Sequence, residues 1–208
     1  MVTGASSGIG REIALILASK GYDVILVARR ENLLRELADE LLANHGCKAE
    51  VIAADLSEHS QVEMVKEMVP DLDVLVNNAG FGLWGMLSDQ DEGVLGSMVD
   101  VNVRALTSLA RHYSGSMRKR GSGKILNVAS IAGYQPGPGM AVYCATKAYV
   151  LSFSRALHSE LKGTGVTVTA LCPGYVDTGF QEVAGMSLRG VESWSLVPVA
   201  KVAQVGVR

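Results

Sequence analysis

The chain has 208 residues, 48% hydrophobic and 19% charged, with a mean hydropathy of +0.23. Such a chain buries roughly 70% of the surface its unfolded form exposes, so it reads as one globular domain and not as a disordered or disulfide-stapled one. Nineteen Lys and Arg against 21 Asp and Glu give a net charge of −2, without the basic excess that binding nucleic acid requires.

Cys47, Cys144 and Cys172 are scattered and odd in number. That spacing fits neither a disulfide framework nor a zinc site, so no metal is expected and the setting reads as reducing and cytoplasmic. No run approaches the ~18 consecutive apolar residues of a membrane span, and no signal-peptide profile opens the chain.

Met1-Val2-Thr3 is a strand stub leading into the turn Thr3–Gly10, and a helix over Arg11–Lys20 ends at Gly21. Short apolar runs rich in Val and Ile then recur at Asp23–Ala28, Ala49–Ala54, Asp73–Val76, Lys124–Val128 and Val166–Cys172, as buried parallel strands do. Between them lie helical patterns: Leu34, Leu37 and Leu41 ending at Gly46, then Val62, Val65 and Met68 opened by Ser57 as N-cap, then Glu92–Arg118 and Tyr143–Leu161. Strict alternation predicts an α/β fold, a Rossmann-type doubly wound parallel sheet in a single domain spanning 1–208, with its ligand crevice beyond the carboxyl ends of the strands. The short first strand, and the absence of a strand pattern after Val197, lead us to expect an incomplete first strand and C-terminal part.

The turn spaces its glycines G-x-x-x-G-x-G. Gly4, Ser6, Ser7, Gly8, Ile9 and Gly10 would let backbone approach a pyrophosphate at the positive end of the following helix. Where the next strand ends, an NAD site would place a carboxylate for the ribose 2′-hydroxyl. Here stand Arg29 and Arg30, whose guanidinium groups suit a 2′-phosphate, so NADP(H) is expected over NAD(H).

Tyr143 and Lys147 stand at i and i+4 on one helix face. Ser130 follows the Lys124–Val128 strand into the same crevice, Asn77-Asn78-Ala79-Gly80 follows the strand before it, and Asn102 sits in a helical stretch between them. Taken in order, the turn Thr3–Gly10, Asp55, Asn77–Gly80, Asn102, Ser130, Tyr143, Lys147 and Pro173-Gly174 with Thr178 resemble the short-chain dehydrogenase/reductase family along nearly the whole chain. Val27–Arg30 and Gln135–Gly139 resemble, more narrowly, a bacterial branch of general short-chain oxidoreductases. The resemblance implies NAD(P)(H) binding and an Asn-Ser-Tyr-Lys tetrad. It also implies that Asp55 with Leu56 contacts the adenine, that Asn78, Ala79 and Gly80 flank the cofactor, and that Pro173, Gly174, Val176 and Thr178 hold the nicotinamide end. A homodimer or homotetramer is implied as well.

In chemical terms, Tyr143 would be the general acid/base, Ser130 the hydroxyl polarising the substrate oxygen, Lys147 the ribose ligand and electrostatic partner, and Asn102 the holder of a relay water. A free phenol has a pKa of about 10; Lys147⁺ and an oxidised nicotinamide would lower it. Phe81, Leu83, Trp84, Tyr134, Met140, Tyr175, Phe180, Met186 and Trp194 would surround a mostly apolar carbonyl or alcohol substrate. The competing expectations are a catalytically silent NADP(H)-binding module, and an isomerase or dehydratase on the same fold.

Overall fold

The computed structural model describes residues 1–176, 178–180, 184–185 and 196–207. Six strands, β1 Val2–Thr3, β2 Val24–Ala28, β3 Ala49–Ala53, β4 Val74–Asn77, β5 Gly123–Val128 and β6 Val166–Leu171, form one sheet in the order β3-β2-β1-β4-β5-β6. All the pairings are parallel, with β1 held between β2 (Val2 beside Leu26) and β4 (Val2 beside Val76). Chain winding therefore reverses between β1 and β4, and the crevice opens at that switch point, where two crossovers leave in opposite directions.

Helices cover both faces because both faces are apolar. Against one pack α1 Gly8–Ser19, α2 Glu31–His45 and α7 Val199–Gly206, burying Ile13, Leu17, Leu34, Leu37, Leu41 and Val202 against Val2, Leu26 and Val76. Against the other lie α3 His59–Met68 and α5 Leu106–Arg120, whose Val62, Val65, Leu109, Tyr113 and Met117 meet Leu75, Ile125 and Val168. Each such buried aliphatic side chain contributes roughly 1.5–3 kcal/mol of transfer free energy. None of the helices of the described residues is long and apolar enough to cross a membrane.

Two element boundaries differ from the sequence expectation. Ser57 does not cap α3: its N–H and hydroxyl both donate to Asp55 Oδ1 (2.9 and 2.7 Å), making an Asx turn that delays the helix until His59, with Glu58 at the cap position. The single helix expected over Glu92–Arg118 is broken into α4 Glu92–Val99, a π-helical turn Asp100–Ala105, and α5. A wide π turn inserts a residue into the helical ladder, as is frequent near functional sites. Here it turns Asn102 inward, where it is 1% exposed. The last long helix, α6, runs Ala141–Glu160.

Candidate active site

A crevice of about 980 Å³ runs along the carboxyl ends of the strands. At one end the β1–α1 turn is shaped for close backbone approach. Gly4 has φ +65°, a left-handed value, and a Cβ there would lie 2.8 Å from Asn78 Nδ2 and 2.9 Å from Ala79 Cα. Ser7 takes the N-cap position of α1 without a side-chain cap bond, and no acidic residue occupies the first turn. The first N–H groups of the helix are thus left for an anion.

The turn is held from beneath by residues far away in sequence. Thr3 Oγ1 accepts the N–H groups of Asn78 and Ala79 (both 3.0 Å) and donates to Val76 O (3.2 Å), while Asn78 Nδ2 donates to Thr3 O and Gly4 O (2.9 and 3.2 Å). Next to it, Asn77 Nδ2 donates to Asn127 Oδ1 (2.9 Å) across the register pair of β4 and β5.

Two arginines line the glycine-turn end of the crevice. Arg30 donates to Ser6 Oγ (2.9 Å) and Ser7 Oγ (2.7 Å), which carries a guanidinium from the end of β2 onto the glycine turn. Arg29, largely exposed, lies 3.6 Å from Asp55. Partial burial pushes the Asp55 carboxyl up, but the two hydrogen bonds from Ser57 and the Arg29 cation outweigh it and hold the group below the usual carboxylate range. A backbone cradle closed to side chains, an open helix start and flanking guanidinium groups fit a dinucleotide carrying an extra phosphate.

Further along, β5 leads into Ser130, whose Oγ accepts the Ala132 N–H (3.1 Å) and so starts the short 3₁₀ turn Ile131–Gly133. Across from it α6 presents Tyr143 and Lys147, both buried. Lys147 Nζ donates to Val128 O (2.9 Å) and sits 5.7 Å from the Tyr143 ring centroid. Burial dominates both groups. It pushes the Tyr143 phenol up to about 12, with the Ser130 hydroxyl pulling the other way, and it pulls the Lys147 ammonium down to about 8. In the chain alone the phenol is therefore raised; the lowering expected from the sequence involves an oxidised nicotinamide as well. Desolvation of the phenolate outweighs the hydrogen bond from Ser130.

Asn102 stands behind this group. Its Oδ1 accepts the Phe81 N–H (3.1 Å), and its Nδ2 donates to Phe81 O (2.9 Å) and Thr146 Oγ1 (3.1 Å). Thr146 in turn donates to Tyr143 O (2.7 Å). Both amide hydrogens of Asn102 are thus engaged in fixing the backbone at Phe81 and the start of α6.

The crevice brings together Gly4, Ser6, Ser7, Gly8, Ile9, Arg29, Arg30, Asp55, Leu56, Asn78, Ala79, Gly80, Ser130, Tyr143, Lys147, Pro173, Gly174, Val176 and Thr178. Gly10 and Asn102 stand back from it. A Cβ on Gly10 would strike Asn78 Nδ2 and the Gly4 carbonyl oxygen, so that glycine serves helix-to-turn packing and not ligand approach. Of the apolar residues expected around the substrate, Phe81, Leu83, Trp84, Met140, Tyr175 and Phe180 line the crevice. Tyr134 does not: its hydroxyl points to Cys172 Sγ (3.7 Å) and Arg155 lies over its ring. Met186 and Trp194 lie outside the described residues. The supporting roles of Thr3 and Thr146 were not foreseen from sequence. A threonine in a glycine turn, or one inside a helix, carries no signal until its distant partners are known.

Fold and site together define a Rossmann-type nucleotide-binding domain whose crevice holds a Ser-Tyr-Lys cluster. Residues 1–187 match the short chain dehydrogenase family, and the chain belongs to that family. It is similar to an oxidoreductase of Staphylococcus epidermidis, 37% identical over 186 residues that cover 88% of this chain and 79% of the relative. Among solved structures it resembles a short-chain dehydrogenase from Sphingobium yanoikuyae in complex with NADPH, with a TM-score of 0.93 and 32% identity over 99% of this chain and 81% of that one. It also resembles the bulky-bulky ketone-specific alcohol dehydrogenase of Comamonas testosteroni, with a TM-score of 0.88 and 30% identity over 99% and 79% of the two chains.

Proposed function

We propose that this protein is an NADP(H)-dependent oxidoreductase that interconverts a carbonyl and an alcohol on an uncharged, mostly apolar substrate. The observation that carries this reading is the placement of a buried, protonated phenol, Tyr143, opposite the Ser130 hydroxyl, with the Lys147 ammonium buried next to it. Cofactor preference is supported by Arg30 at the glycine turn and by the relative bound to NADPH. When bound, NADPH supplies the hydride that reaches the carbonyl carbon.

The chain's own residues handle the proton. With its oxygen accepting the Ala132 N–H, Ser130 keeps its hydroxyl hydrogen to donate to the substrate oxygen. Tyr143 gives that oxygen its proton and becomes phenolate. At neutral pH the Tyr143 phenol is protonated and can donate, while its burial makes the phenolate left behind dependent on stabilisation by its neighbours. Lys147, held in place by Val128 O, stabilises the phenolate and offers its other N–H groups to the cofactor ribose. Asn102 acts through others, fixing Phe81 and Thr146 around Tyr143.

Tyr143→Phe tests this directly. Removing the proton donor should lower kcat for carbonyl reduction by roughly 10²–10⁴-fold while NADPH binding, followed by cofactor fluorescence, stays intact. Undiminished turnover in the purified variant would overturn the mechanism.

A further inference from the structure

We infer that Trp84 selects the substrate: the site takes ketones with one small and one large, flat, uncharged substituent, the large one lying against the Trp84 indole. This deepens the function proposed above and rests on it. A carbonyl oxygen placed at Ser130 and Tyr143 leaves its two substituents to be housed on either side.

Beside Tyr143 the space is filled. Phe180 and Tyr143 stand with ring centroids 5.3 Å apart, and together with Met140 they close on the backbone of Gly82. A Cβ there would lie 2.9 Å from Phe180 Cζ, 3.0 Å from Tyr143 Cδ2 and 3.2 Å from Met140 Cε. With Tyr143, Phe180 and Met140 packed on one another on that side of the crevice, the smaller substituent is assigned to it.

Toward the mouth the opposite holds. Trp84 lines the crevice and is 53% exposed, yet it is firmly seated. Its N–H donates to Ala184 O (2.8 Å), and the next N–H, of Gly85, donates to Gly139 O (2.9 Å). The indole rests on Gly139, where a Cβ would lie 3.4 Å from three ring atoms and where φ is +80°. A large aromatic held from behind with an open face offers apolar area at little further cost in conformational entropy.

The chemistry of the partner follows from charge. Among the described residues lining the crevice, the charged ones are Arg29, Arg30 and Asp55 at the glycine-turn end and the buried Lys147. Among the described residues the Trp84 arm has none, so an anionic or cationic substituent would meet no counter-charge from them there.

The test compares kcat/KM for 2-acetylnaphthalene and butan-2-one, with NADPH, in the wild type, Trp84→Ala and Trp84→Phe. The wild type should prefer the aryl ketone. Trp84→Ala should lower that preference at least tenfold, mainly through KM, and Trp84→Phe should fall between. The alcohol formed from the aryl ketone should be largely one enantiomer in the wild type and more nearly racemic in Trp84→Ala. Leu87→Ala, which removes an exposed side chain outside the crevice, should leave the preference where it was. A preference within twofold of wild type in both Trp84 variants overturns the inference. Quenching of tryptophan fluorescence by 2-acetylnaphthalene separates the two levels: quenching lost in Trp84→Phe without turnover in any form supports the platform and sinks the proposed chemistry.

Discussion

Replacing Asn102 tests how the site is held together. Its amide makes three hydrogen bonds, to Phe81 N–H (3.1 Å), Phe81 O (2.9 Å) and Thr146 Oγ1 (3.1 Å), from a position 1% exposed. At about 1 kcal/mol net for each bond, with a further penalty for polar groups left unpaired, Asn102→Ala should destabilise the fold by about 3–4 kcal/mol. Asn102→Asp is the sharper variant. It keeps the acceptor for the Phe81 N–H but turns a carboxylate oxygen toward the Phe81 carbonyl and loses the donor to Thr146. Burial and that carbonyl raise the introduced carboxyl above its unfolded value, so the folded state binds the extra proton. Stability should then be highest at low pH and fall as pH rises through the introduced group's folded pKa. Urea unfolding at pH 5 and pH 8, with kcat and KM at both, reads this out. Loss of kcat should exceed loss of NADPH affinity, because Phe81 and Thr146 border Tyr143 and not the glycine turn. A variant as stable as the wild type at pH 8 would refute the hydrogen-bond account of Asn102.

Other outcomes follow from neighbouring contacts. Thr3→Val should cost about 2–4 kcal/mol, because two backbone N–H groups lose their acceptor, whereas Thr3→Ser should recover most of it; chemical denaturation decides. Arg30→Ala removes the guanidinium from Ser6 and Ser7 and should weaken NADPH relative to NADH by roughly tenfold or more; equal weakening in fluorescence titrations argues against a phosphate-reading role. Burial lowers the Lys147 ammonium from 10.5 to about 8, so above pH 8 the unfolded chain binds more protons there than the folded one. The wild type should therefore gain about 2 kcal/mol relative to Lys147→Met between pH 8 and pH 10; a gap that is flat across that range in urea melts contradicts it.

Local signals carried much of this protein. Val-rich runs separated by helical repeats specify parallel strands under helices, because a strand buried on both faces must be apolar throughout. Tyr143 and Lys147 share a helix face simply because they are one turn apart, and a glycine turn before a helix announces an anion cradle. Long-range partners carried the rest. Asn102 finds Phe81 and Thr146 through a π turn that no periodicity announced, and Thr3 joins β1 to the residues after β4 across more than seventy positions of sequence. The rise at Tyr143 in the chain alone was not legible from spacing for the same reason: one-turn proximity to a lysine is local, but the desolvation that raises the phenol comes from the elements closed around it. Trp84 is no different. Its composition says only that it is large and apolar, and its seat on Gly139 with one face bare exists only once two distant loops have been brought together.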